Sequence, residues 1–107
     1  NLFVVPVPED VRRTGLYQPS TLRQVLDASV TGFDWVILDG PPVLESPDAS
    51  ALGALADGVV LVVQAGRTKR PVLTRAADLL RKAGARVMGS VLNRRVLEIP
   101  EFIYRRI

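Results

Sequence analysis

The sequence predicts an α/β fold, a parallel sheet with flanking helices joined by right-handed crossovers. Two observations carry that reading. Short apolar runs at Leu2–Val7, Trp35–Leu38, Val59–Val63 and Val87–Leu92 are bounded by turn residues and are too short for buried helices. Between and after them, apolar residues recur at helical spacing, so the order is β-α-β-α-β-α-β-α. Runs that are apolar at every position predict strands buried on both faces, the habit of parallel sheets.

Composition bounds the rest. The 107 residues amount to one domain or part of one, and at 48% hydrophobic they can build a core. No segment approaches the roughly 18–20 apolar residues of a membrane span. Asn1–Pro6 lacks the basic start of a signal peptide, and Pro6 and Pro8 interrupt its apolar run. With no Cys and no His, disulfides, thiol nucleophiles and Ser-His catalysis are excluded, and nitrogen- or sulfur-rich metal sites are disfavoured. That composition fits a cytosolic setting. The net charge of +3 comes almost wholly from Arg, which favours anionic lipid or phosphate as partners. No basic cluster is interleaved with aromatic residues, so a nucleic-acid site is not expected.

Taken in order, the chain opens in mid-strand at Leu2, as a piece of something longer would. Glu9–Gln18 is polar and carries Gly15, hence a loop. Pro19 and Ser20 start a helix with Leu22, Val25, Leu26 and Val30 on its apolar face, and Thr31–Gly32 stops it. After Pro41 and Pro42, a helix is expected over about Asp48–Ala56. Ser46 or Asp48 would cap it, and Ala49, Leu52 and Leu55 would form its buried stripe. Gly58 ends that helix and Val59–Val63 follows as a strand. Ala65–Thr68 is a loop at the strand's carboxyl end. Pro71 suits the first turn of the next helix, whose buried face is Leu73, Ala76, Ala77 and Leu80. Arg81 and Lys82 complement its dipole, and Gly84 is a fitting C-terminal cap. Asn93 and Arg94 leave the end of the Val87–Leu92 strand. Pro100 and Glu101 open a last short helix.

Asp39 is the residue with the most chemistry in prospect. In an open parallel sheet ligands bind beyond the carboxyl ends of the strands, and Asp39 stands at such an end. Gly40 permits a tight turn, while Pro41 and Pro42 fix φ and remove two donors, so the strand cannot continue. Two readings follow from the run: a solvated Asp at a strand end, or a Walker B carboxylate that holds Mg²⁺ at a nucleotide phosphate.

The stretch FDWVILDGPPVLESPDASALGALADGVVLVVQAGRTKR, followed by LLRKAGARVMGSVLN, resembles the C-terminal half of the bacterial tyrosine autokinase domain of capsular and exopolysaccharide export. That family is related to the deviant-Walker ATPases that include the Min and Par proteins. The resemblance covers the chain from NLFVVP to Arg94 and implies a partial P-loop NTPase (Rossmann-like) fold over residues 1–107, with the Walker A half missing. By position, it makes Asp39 the Walker B carboxylate on Mg²⁺. Asp48 becomes a second catalytic carboxylate, with Gly40 and Pro41 beside the nucleotide. Asn93 matches the residue that reads the adenine edge, since an amide donates and accepts at once, and Arg94 would flank the base. For Asn93 and Arg94 the residues alone also fit a polar strand-end turn. The cofactors implied are ATP and Mg²⁺.

Two departures stand out. Gly53/Gly58 and Gly84/Gly89 have GxxxxG spacing, but Val59 and Ser90 stand where Lys is required, so all four are read as helix-flanking glycines. In the family the phosphate loop and a second acidic strand precede NLFVVP. The family's tyrosine-rich tail is reduced to Tyr104, a possible phosphoacceptor that also fits an amphipathic core edge; Tyr17 has a weaker case. The function implied is part of an ATP-dependent tyrosine autokinase regulating polysaccharide polymerisation and export. Its expected partners are a membrane polysaccharide co-polymerase and further copies of itself, at the cytoplasmic side of the inner membrane. A Min/Par-like ATPase switch and a non-catalytic docking domain are the alternatives.

Overall fold

The computed structural model describes residues 1–6 and 19–96. In chain order these form α1 (Pro19–Val30), α2 (Pro47–Leu55), β1 (Val59–Gln64), α3 (Arg70–Lys82) and β2 (Val87–Asn93). β1 and β2 pair in parallel, with Val60 opposite Gly89, Val62 opposite Val91 and Gln64 opposite Asn93. A register shift between Val59 and Val60 leaves Met88 as the extra residue on β2. The fold is α/β with a parallel two-stranded sheet, as the class of the sequence requires.

Local chemistry explains each boundary. Ser46, at φ −139° and ψ 129°, caps α2 by accepting the Asp48 N–H at 3.2 Å, and Pro47 occupies the first helical turn. α3 begins at Arg70 with Pro71 in its first turn, and Thr74 Oγ1 donates back to the Arg70 carbonyl at 3.1 Å. Its end is a Schellman motif. The Gly84 N–H donates to the Arg81 carbonyl at 3.0 Å, and the Ala85 N–H reaches the Leu80 carbonyl at 2.9 Å. Gly84 sits at φ +88°, the left-handed region that this motif needs. Gly32, at φ +95°, closes α1 similarly, with the Phe33 N–H on the Val30 carbonyl at 3.2 Å. The rings of Phe3 and Phe33 meet edge-on, centroids 5.6 Å apart, and this tethers the first residues to the end of α1.

The core is narrow and rich in alanine: Ala49, Val63, Ala76, Ala77, Leu80 and Ala85 are buried, with Leu80 only 1% exposed. Along β1 burial alternates. Val59 and Leu61 are half-buried and Val63 buried, whereas Val60 and Val62 face outward. The expectation of strands buried on both faces is therefore corrected: helices cover one face of this sheet.

Two expected strands are corrected as well. Residues 1–6 and 35–42 form no strand among the described residues. Trp35 and Ile37 are 87% and 89% exposed, and β1 pairs with β2 alone. An apolar run becomes a strand only where a neighbour supplies backbone partners, and none of the described residues does so for Val36–Asp39. The glycine reading divides. Gly58 and Gly84 flank helices, but Gly53 lies inside α2 and Gly89 inside β2. A Cβ on Gly53 would stand 3.0 Å from Leu80 Cδ2, 3.3 Å from Ala85 Cβ and 3.3 Å from Val59 Cγ2. Close packing of three elements fixes that glycine. On α1, Leu22 and Leu26 are half-buried while Val25 and Val30 are exposed, so half of its apolar stripe is covered. The loop expected over Glu9–Gln18, with Tyr17, and the helix from Pro100, with Tyr104, lie outside the described residues.

Two glycines separate packing from backbone strain. Gly53→Ala keeps a helical backbone but overfills a rigid site, so it should cost about 1–3 kcal/mol. Gly84→Ala meets nothing within 4 Å, so its cost is the left-handed backbone alone, about 1–2 kcal/mol. Chemical denaturation of both variants checks this. Restoring a small-to-large balance with Leu80→Val should recover part of the Gly53→Ala loss and none of the Gly84→Ala loss.

Candidate functional site

Two groups of residues come out of the fold. The first surrounds the turn after the apolar run. Gly40 packs against α2, where a Cβ would lie 3.6 Å from Leu52 Cδ1. Pro41 is half-buried beside it, and the Pro42 carbonyl accepts the N–H groups of Glu45 at 3.1 Å and Ser46 at 3.2 Å. This folded turn delivers the chain to the Ser46 cap. Asp39 precedes it, exposed, with no hydrogen bond or ion pair to another described residue. Asp48 is half-buried in the first turn of α2, where a carboxylate is favoured by the helix dipole.

The second group lies at the carboxyl end of the sheet. Gln64 and Asn93 face each other in the last rung, and the Ala65 N–H donates to the Asn93 carbonyl at 2.8 Å. The β1–α3 loop folds onto that rung. Gln64 accepts at its carbonyl from the Thr68 N–H at 3.0 Å and gives its own N–H to Thr68 Oγ1 at 3.3 Å. Gly66, at φ +75°, makes the turn. Asn93 Oδ1 accepts the Arg94 N–H at 2.9 Å, and Arg94 is held at φ +54°. It is the non-glycine residue with left-handed backbone among those described, a conformation that costs a side-chain-bearing residue about 1–2 kcal/mol. The Asn93 side chain bonds directly to the backbone N–H of this left-handed residue and so braces the turn.

The fold brings Asn93, Arg94 and the 65–69 loop together. No hydrogen bond or ion pair joins them to Asp39 or Asp48 among the described residues. Sequence reading named Asn93 and Arg94 but missed Thr68 as the group that ties the loop to β1, and missed the strain at Arg94. The loop's place at the strand's carboxyl end was the available signal for Thr68.

The donor set can be weighed against the nucleotide and metal expected for it. Mg²⁺ takes one or two carboxylates, and the rest of its shell is water and phosphate oxygen. A lone exposed Asp39 fits that chemistry. No group of three His, Cys, Asp or Glu residues gathers among the described residues, so nothing there resembles a dedicated cage. The Asn93 amide has one oxygen lone pair engaged by Arg94 and donates to no described residue, leaving donor and acceptor capacity for a base edge.

Comparison with known proteins places the chain. It is 35% identical over 96 residues to the tyrosine-protein kinase CpsD of Streptococcus agalactiae, an overlap of 87% of this chain and 41% of that protein. The chain is a relative of the bacterial tyrosine-protein kinases. Tyrosine-protein kinase YwqD of Bacillus subtilis is 30% identical over 88 residues, covering 82% of this chain and 36% of the relative. Tyrosine-protein kinase etk of Escherichia coli K12 is 31% identical over 72 residues, 67% of this chain and 10% of that kinase. The chain thus spans well under half the length of these kinases. No family model matches the sequence, and no solved structure matches it either. No helix among the described residues is long and apolar enough to cross a membrane.

The strained turn offers a test within this kinase relative. Arg94→Gly should raise stability by up to about 1 kcal/mol, because glycine adopts φ +54° without penalty. A thermal melt showing the variant less stable than wild type would mean that the Arg94 side chain has packing partners worth more than the strain.

Proposed function

We propose that this chain forms the C-terminal part of an ATP-dependent protein-tyrosine autokinase with a partial P-loop NTPase fold. The single observation behind the reading is the 35% identity to a tyrosine-protein kinase over 87% of the chain. Asp39 would serve as the Walker B carboxylate, taking a place on Mg²⁺ or on its water, and Asp48 would add negative charge beside it. Gly40, whose added Cβ would lie 3.6 Å from Leu52 Cδ1, and Pro41 after it would hold the turn beside the nucleotide. Asn93 would read the adenine edge, and Arg94 would lie along the base. Bound Mg-ATP supplies the γ-phosphoryl group.

Phosphoryl transfer depends on positioning and on neutralising charge. In this reading the chain contributes the carboxylates and the base contact, and the backbone N–H cradle and phosphate-binding Lys come from the parent's preceding residues. The parent would act as a homo-oligomer on the cytoplasmic side of the inner membrane. There it would partner a membrane polysaccharide co-polymerase and set polysaccharide polymerisation and export.

In the intact protein, Asp39→Asn should abolish autophosphorylation and leave the melting curve unchanged, because Asp39 bonds to no described neighbour. Phosphotyrosine at wild-type levels on an immunoblot would remove Asp39 from the metal site. Asn93→Ala should weaken ATP by about 1–2 kcal/mol, roughly five- to thirtyfold in Kd, with a smaller effect on the chemical step. Titration calorimetry with a non-hydrolysable ATP analogue reads that change independently of turnover.

A further inference from the structure

Charge is unevenly placed along this chain. Residues 67–86 hold seven of the fourteen Lys and Arg but one of the eleven Asp and Glu, so the rest of the chain is net acidic. The structure gathers this charge onto α3 and its two flanks. Ala76, Ala77 and Leu80 turn the helix's apolar side inward, so its polar side faces solvent. Arg67, Lys69, Arg70, Arg75, Lys82 and Arg86 are all exposed and make no ion pair with a described residue. The one acid, Asp78, lies 3.5 Å from Arg81 and so offsets a cation outside that set. An open groove runs along the same side, lined by Arg70, Pro71, Thr74, Arg75, Leu79 and Lys82 as well as Asp78.

We propose that this face of α3 docks on the surface of an anionic lipid bilayer. Charge complementarity is the first argument, since clustered Lys and Arg on an amphipathic helix are drawn to acidic headgroups. The second is what lies between the cations. Val72 and Leu79 are 43% and 39% exposed, so apolar side chains sit flush with the basic ones, an arrangement suited to the headgroup boundary. No aromatic residue occurs anywhere in 67–86, which removes the stacking platform of a single-stranded nucleic-acid site. The groove is open to solvent and not an enclosed socket of the kind that anchors a side chain of a protein partner. The core packing of α3 leaves its apolar side occupied, so attachment is electrostatic and reversible. This docking is independent of the kinase reading, and Asp39→Asn should bind vesicles as wild type does.

The test is co-sedimentation of the intact protein with vesicles of phosphatidylcholine, alone or with roughly a third of phosphatidylglycerol. Binding is expected to the anionic vesicles only, and is expected to vanish near 1 M salt, where the Debye length is about 3 Å. Each basic residue near such a surface strengthens binding about fivefold, so the double variant Arg75→Gln with Lys82→Gln should bind roughly 25-fold more weakly. The charge-keeping pair Arg75→Lys with Lys82→Arg should bind like wild type, as should Arg23→Gln on α1. Equal binding to neutral vesicles, no binding to anionic ones, or an unchanged double variant would overturn the proposal. Equally tight binding to poly-glutamate or duplex DNA, lost in the same double variant, would also overturn it by showing an affinity for polyanions in general.

Discussion

Leu80 holds the described fold together. Among the described residues it is the one large side chain that is fully buried, and it stands where α2, α3 and the start of β1 converge. Its side chain fills the space that Gly53 leaves open on α2, while its carbonyl receives the Ala85 N–H that ends α3. One residue thus couples packing between helices to the turn that sends the chain into β2. Gly84 makes this possible by taking the left-handed conformation between Leu80 and Ala85. If α3 ended one residue later, Ala85 would leave the core and β2 would lose its register with β1. The last rung, Gln64 opposite Asn93, depends on that register.

The alanine-rich core has an energetic consequence. Ala49, Ala76, Ala77 and Ala85 let backbones approach closely, but each buries little apolar area. Larger apolar groups sit outside: Trp35 and Ile37 on the unpaired run, and Val60, Val62 and Val91 on the open face of the sheet. Val60 and Val62 lie on the same side of β1, and Val91 is the register partner of Val62. The uncovered surface is therefore one continuous sheet face and not a scatter of single residues. Helices on the other face give β1 its alternating burial.

The candidate site residues divide along the same line. Asn93 and Arg94 are positioned by the sheet, through a ladder bond to Ala65 and an Asn93–Arg94 turn. Asp39 is positioned by a turn alone, through Gly40 on Leu52 and the Pro42 carbonyl. A residue carried on a paired strand is held by its neighbours' hydrogen bonds. One carried on an unpaired run is held only as firmly as the turn beside it.

Much of this was legible in the residues. The Ser46 cap, Pro47 and Pro71 in first turns, Gly84 at the end of α3 and the buried face of α3 all rest on local chemistry, so their signals lie within a few positions of the element they define. Kinship with the tyrosine kinases was legible too, because the Asp-Gly-Pro-Pro turn and the strand-ending Leu-Asn keep their order along the chain. Tertiary structure alone decided three matters. Val36–Asp39 has the composition of a strand, yet pairing needs a partner's backbone, and periodicity carries no information about which partner is present. Gly53 has the spacing of a loop glycine, yet its reason is Leu80, Ala85 and Val59 meeting from three other points in the sequence. The left-handed backbone at Arg94 arises from the exit of β2 and the Asn93 side chain together, and no propensity of arginine would have foretold it. Local sequence fixes what a segment can form; only the neighbours it meets decide whether it does.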